Sequence, residues 1–197
     1  MKYKSWYPRD FIRALQTILT QDQITRHLQD PNGAPRFLYG ALMLPTVLKY
    51  FLSIDQTVDL ASCITPAVLS GYRLSQFTES STPVLVPSDS AAVVEGMLVF
   101  GLNAHQRNAL FEVEAGLMDL ADVQVQILQT ERAGPYQMRC TRVVDAGTFV
   151  WRGSHEGLIP VTGSMWSLDG FPTGPFYRQI VESQQRQTLD RPYSYKQ

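Results

Sequence analysis

From Arg36 to Trp151 the chain is a succession of short runs rich in Val, Leu and aromatic residues, each cut off by glycine or proline. Runs this short and this often interrupted read as strands rather than helices. Phe37-Leu38-Tyr39 leads straight into Gly40. Ala67-Val68-Leu69, Tyr72-Arg73-Leu74, Val84-Leu85-Val86 and the stretch from Val93 to Phe100 follow, punctuated by Gly71, Pro83, Pro87 and Gly101. Val123, Val125 and Ile127 alternate with Gln124 and Gln126, a period of two that predicts a half-buried strand. Further strands are expected around Gln137 to Val144 and Gly147 to Trp151, with a turn at Gly153-Ser154-His155-Glu156-Gly157. Many short strands with few helices define an α+β chain, folded as a small barrel or a strongly curved sheet.

Helical spacing is confined to a few places. Phe11, Ile12, Leu15, Ile18 and Leu19 form one apolar stripe, with Asp10 ahead of it as N-cap. Ile24 and Leu28 continue the spacing until Asp30-Pro31-Asn32-Gly33 stops it. A phenylalanine in that stripe predicts that the helix packs on the domain, because exposing it would be costly. Pro45 suits the first position of a short helix carrying Val47, Leu48, Tyr50 and Phe51. Asn103, with Gln106 three residues later, predicts the start of a helix running to about Gly116. Arg178 to Leu189 reads as a polar, Gln-rich helix or tail.

Charge and motif content remove whole classes of function. Lys and Arg number 17 against 18 Asp and Glu, and with no basic stripe the chain is not expected to bind nucleic acid. Hydrophobic residues make up 44%, enough to exclude global disorder. The apolar stretch from Phe37 to Leu52 is broken by Pro45 and Lys49 and is too short to span a bilayer. No apolar segment follows Met1, so a cytoplasmic location is expected. Cys63 and Cys140 cannot make a disulfide framework, and His27, His105 and His155 lack ligand spacing for a metal. Dinucleotide, phosphate-loop and nucleophile-elbow signatures are missing.

Two segments carry candidate chemistry. A glycine directly after the strand Phe37-Leu38-Tyr39 lets the backbone turn sharply and present successive N–H groups, which can hold a carboxylate with help from the helix beginning near Pro45. Leu110 to Gly116 contains two acids, Glu112 and Glu114, which helical geometry puts on nearly opposite faces. Only one of them can enter a pocket.

The order of these segments resembles the γ-glutamylcyclotransferase-like family. Tyr39-Gly40-Ala41-Leu42 is similar to that family's Tyr-Gly-Ser/Thr-Leu loop. The stretches from Ala67 to Tyr72, from Pro83 to Pro87 and from Val94 to Leu98 resemble its successive strands. The helix from Leu102 to Glu114 resembles the one ending in Leu-Asp-x-Phe/Tyr-Glu-Gly. The resemblance runs from about Arg36 to Trp151 and implies a small mixed β-barrel with flanking helices. It divides the chain into an N-terminal helical extension (1–34), a barrel domain (35–155) and a C-terminal extension (156–197).

It further implies an enzyme that closes a γ-glutamyl amide or peptide to 5-oxoproline, releases an amine and needs no metal or organic cofactor. Glu114 would be the general base, its pKa raised by Val113 and Leu117, and Tyr39, Gly40, Ala41 and Leu42 would bind the small-molecule substrate. Ala41, Phe111, Ala115, Met118 and Phe149 depart from the family pattern and imply a more apolar pocket. Two alternatives therefore accompany this reading: another proton transfer or cyclisation on a more apolar metabolite, and a non-catalytic binding protein.

Overall fold

The computed structural model describes residues 4–30, 33–77, 82–114, 116–130, 138–161 and 168–189. Helices α1 (Arg9–Gln16) and α2 (Gln21–Leu28) come first. Strand β1 (Arg36–Leu38) runs through a 3₁₀ turn into α3 (Pro45–Phe51). Then come β2 (Ile64–Ser70), β3 (Tyr72–Phe77), β4 (Val84–Pro87), β5 (Val93–Val99) and α4 (Ala104–Glu114). The chain continues with β6 (Met118–Thr130), β7 (Met138–Trp151), β8 (Leu158–Pro160) and α5 (Pro175–Leu189).

Five strands close into a barrel in the order β1-β5-β2-β6-β7. Every pairing is antiparallel except β1 with β7, which is parallel at Arg36 and Gly147. The barrel is therefore mixed, and the fold is the α+β barrel with flanking helices. Its interior takes the alternate residues Val123, Val125 and Ile127 that the period-two pattern marked. β4, β3 and β8 form a second, three-stranded sheet beside it.

Gly96 on β5 lies under β1. A Cβ there would fall 2.4 Å from the Phe37 ring and 2.6 Å from the Leu38 carbonyl oxygen. The backbone atom cannot move aside without breaking the strand pair, so only glycine lets β1 and its following loop sit this close.

The N-terminal segment is packed on the barrel. Phe11, Leu19 and Ile24 are buried in the common core. The Thr46 hydroxyl donates to Asp10 at 2.6 Å, Arg142 donates to the Thr25 hydroxyl at 2.8 Å, and the His27 ring stacks on Phe100 at 5.1 Å. The expected single helix is two, because Thr20 caps a new one. Its side chain accepts from the Gln23 amide at 3.2 Å while the Gln23 side chain accepts from the Thr20 amide at 2.8 Å. Ile18, in the break, is exposed. Asp10 lies inside the first turn of α1, and Pro8 stands at the cap.

Other expectations fare in the same mixed way. Asn103 and Gln106 form the expected reciprocal cap at 2.9 and 3.0 Å, and α4 ends at Glu114. The two strands expected after Gln137 are one, since β6 pairs without interruption opposite Asp145 and Ala146. β8 was not legible: it pairs with β3 over Leu158, Ile159 and Pro160, too short a run to show a period.

Truncating Phe11 to Ala removes a fully buried ring from the barrel's flank and is expected to cost about 3–5 kcal/mol. Thermal or urea unfolding checks it; an unchanged midpoint would mean that α1 is not part of the cooperative core. Gly96→Ala is expected to cost about 1–3 kcal/mol through overpacking against β1, read as a lower Tm in calorimetry.

Candidate functional site

The loop after β1 is shaped by one residue. Gly40 has φ +63°, the left-handed region that a side chain disfavours by about 1–2 kcal/mol. It turns the chain into the 3₁₀ turn Gly40–Met43, closed by the Leu44 amide on the Ala41 carbonyl at 3.1 Å, and Pro45 then begins α3. Leu42 and Met43 are buried, so the turn is pinned from below.

Tyr39 points the other way, into the barrel. Its hydroxyl donates to the Phe149 carbonyl at 2.8 Å, with the Met118 sulfur at 3.1 Å. Burial drives the Tyr39 pKa well above the usual phenol range, and the charge of Glu114 adds to the rise, opposed by a hydrogen bond from the Leu85 amide. The charge of Glu114 is thus felt at Tyr39, although 75 positions separate them.

Glu114 is the last residue of α4, one turn beyond the fully buried Leu110 and on the same face. It is half-buried, and loss of solvent raises its pKa above the ordinary carboxylate value. Glu112, two residues back, is exposed. Val113 and Leu117 do not provide the apolar walls expected of them, since they are 44% and 61% exposed. Phe111 is also solvent-facing, at 47% exposure, and adds nothing apolar to a pocket. Met118 does, because it is buried against the Tyr39 hydroxyl. Ala115 lies outside the described residues.

A cavity of about 770 Å³ opens on the other side of the loop. Gly40 and Met43 form one wall, and Lys4, Tyr7, Arg73 and Asp169 are among the residues facing them. Glu95 lines it as well, whereas Tyr39, Ala41, Leu42 and Glu114 do not. Gly40 thus stands between the buried Tyr39 and a charged cavity. The cavity's charged residues went unrecognised in the sequence, where nothing links Tyr7 to Asp169 across 162 positions. Among the described residues no group of three or more His, Cys, Asp or Glu could hold a metal ion, and no helix is long and apolar enough to cross a membrane.

A mixed five-stranded barrel with a glycine-turned loop and a desolvated glutamate at a helix end defines the class of molecule. The family model described as gamma-glutamyl cyclotransferase, AIG2-like matches residues 36–168, and the chain belongs to that family. Among solved structures, the solution structure of At3g28950.1 from Arabidopsis thaliana is similar at 23% identity and TM-score 0.50, covering 82% of this chain and 84% of that one. At5g39720.1 from Arabidopsis thaliana is similar at 17% identity and TM-score 0.50, covering 83% and 97%. A structure titled gamma-glutamyl cyclotransferase matches at 15% identity and TM-score 0.45, covering 84% and 92%. A search of curated proteins finds no match.

The raised pKa of Glu114 has a consequence for stability. A carboxyl that binds its proton more tightly in the folded state contributes stability that is fully present below its unfolded pKa, about 4.3, and lost as pH rises through its folded pKa. Glu114→Gln removes that loss. Its Tm is expected to exceed the wild-type value by a margin that opens between about pH 4 and pH 8, whereas Glu112→Gln should follow the wild type. Thermal melts across that range check it, and a pH-independent difference would contradict a desolvated Glu114.

Proposed function

We propose that the protein is a γ-glutamylcyclotransferase-type enzyme that closes a γ-glutamyl amide or peptide to 5-oxoproline and releases an amine. The observation that carries the reading is the half-buried Glu114 at the end of α4, its pKa raised by desolvation. Family membership supports the reaction class.

The chemistry asks little more of the protein. The substrate's α-amine nitrogen bonds to its own γ-carbonyl carbon, forming a five-membered lactam. The γ-carbon–nitrogen bond then breaks and the amine leaves. An α-ammonium has no lone pair, so Glu114 first takes one of its protons; ring closure frees a second from the same nitrogen, and both pass to the leaving nitrogen, which departs as an ammonium. A carboxylate of ordinary pKa would be a weak base for this step, and desolvation moves Glu114 towards the working pH. The backbone N–H groups of Tyr39 to Leu42 hold the substrate's α-carboxylate, because the first amides of a helical turn have no internal acceptor. The Tyr39 side chain, committed to Phe149, fixes that loop rather than touching substrate. Both reacting groups belong to one molecule, so holding them in line lowers the barrier by several kcal/mol. No step calls for a metal or organic cofactor.

Turnover of a more apolar metabolite has less support. Phe111 faces solvent, and the cavity at Gly40 carries Lys4, Arg73, Glu95 and Asp169.

Incubation with a panel of γ-glutamyl amines and peptides is expected to release 5-oxoproline, measured by chromatography. Glu114→Gln should lower the rate by about 10² or more, and Glu112→Gln should leave it within about twofold. No release from any member of the panel would overturn the reading. Equal rates for wild type and Glu114→Gln would remove the base.

A further inference from the structure

A second cavity, of about 530 Å³, lies at the seam between β1 and β7. It shares no lining residue with the cavity at Gly40, and Glu114 is not among its walls. Strand register builds it. Gly147 of β7 is the register partner of both Arg36 on β1 and Asp122 on β6. The three residues therefore stand in one row across three strands, with a glycine in the middle. Asp145, two positions before Gly147, shares that face and accepts from the Gln124 side chain at 3.3 Å. Asp122, Gln124 and Asp145 are exposed.

Glycine leaves the row open. A Cβ at position 147 would fall 2.8 Å from Nη1 of Arg36. The guanidinium therefore reaches from β1 over the bare backbone of β7, towards the strand that carries Asp122.

That guanidinium is under-bonded. Nη1 donates to the Pro35 carbonyl at 3.2 Å and to the Ala34 carbonyl at 3.4 Å, while Nε is buried with no partner. Among the described residues no ion pair joins Arg36 to Asp122 or Asp145. Burial first, and the like charge of Arg107 next, draw the Arg36 pKa down, and the charge of Asp122 opposes them less. A partly desolvated cation without an acceptor is costly. The Nε–Nη2 edge it leaves open is a planar fork matched to a carboxylate.

The opposite wall decides what can fill the gap. A simple anion would meet Arg36 but also the repulsion of Asp122 and Asp145. A simple cation would meet the two carboxylates but also Arg36. A molecule with both charges on adjoining atoms satisfies both walls, and an α-amino acid carries its carboxylate and its ammonium on one carbon.

We propose that this cavity binds the zwitterionic head of an α-amino acid, with its carboxylate on Arg36 and its ammonium on Asp122. Gly147 is the floor on which the head lies. The inference stands apart from the ring-closure reading, because neither Glu114 nor the Gly40 loop lines the cavity.

Three small probes test it by titration calorimetry on the full-length protein at pH 7: L-alanine, propionate, which lacks the ammonium, and ethylamine, which lacks the carboxylate. L-Alanine is expected to bind about tenfold or more tightly than either, the scale of a hydrogen bond to a charged group. Arg36→Gln and Asp122→Asn should each remove that preference. Asp122 is exposed, so Asp122→Asn is expected to keep the wild-type Tm, and it decides the matter if Arg36→Gln does not fold.

γ-Glutamyl-alanine carries the same head at the end of a longer molecule, and its titration on the Glu114→Gln protein suppresses turnover. Asp122-dependent binding of either compound supports the head-group site, and the tighter of the two identifies its source. Binding of neither, propionate or ethylamine matching L-alanine, or a preference that survives Asp122→Asn would overturn it.

Discussion

The seam between β1 and β7 holds the barrel closed, and everything at the site hangs from it. β1 is only three residues long and pairs with β7 at a single register position, Arg36 with Gly147. Three hydrogen bonds in succession make up for that brevity. The Gly147 amide donates to the Pro35 carbonyl at 3.0 Å, the Thr148 hydroxyl to the Phe37 carbonyl at 2.9 Å, and the Tyr39 hydroxyl to the Phe149 carbonyl at 2.8 Å. The last two are buried, where an unmade hydrogen bond costs about 1–3 kcal/mol. Losing either buried one weakens the seam from which the Gly40 loop hangs.

That arrangement explains why Tyr39 and Gly40 have separate tasks although they are neighbours. The tyrosine ring goes inward, where its hydroxyl closes the seam beside Met118. The glycine turns the backbone outward, so its own atoms border the charged cavity. One residue anchors and the next presents. Substitution of a bulkier residue at Gly96 would lift β1 from β5 and undo both.

The terminal segments add a second layer of organisation. α1, α2 and the link between them bury Phe11, Ile24 and Leu19 against the barrel, and α5 buries Ile180. The Gln184 side chain donates to the Thr46 carbonyl of α3 at 3.0 Å. Because α1 is fixed in this way, the residues ahead of it are carried to the cavity, where Tyr7 and Lys4 meet Asp169. Core packing in one place therefore sets charge positions in another.

Local rules were enough wherever the forces are local. The Asn103–Gln106 cap, Pro45 at the head of α3, the alternation of Val123, Val125 and Ile127 and the inward choice of Glu114 over Glu112 all follow from spacing within a few residues. The same rules missed the Thr20 cap, since the apolar stripe runs through the break, and split β7, whose continuity depends on its partner β6. Spacing alone also misassigned the water exclusion around Glu114 to Val113 and Leu117, the neighbours in sequence. No periodicity reports what a helix end will face. The sequence by itself determined the strands, the caps and the order of the motifs, because each depends on backbone conformation and side-chain period. Only the tertiary structure decided that the Tyr39 hydroxyl reaches Phe149 and that Lys4, Tyr7, Arg73 and Asp169 share one cavity. Those encounters join residues tens to more than a hundred positions apart, and only the closing of the barrel and the packing of the terminal segments bring them within reach.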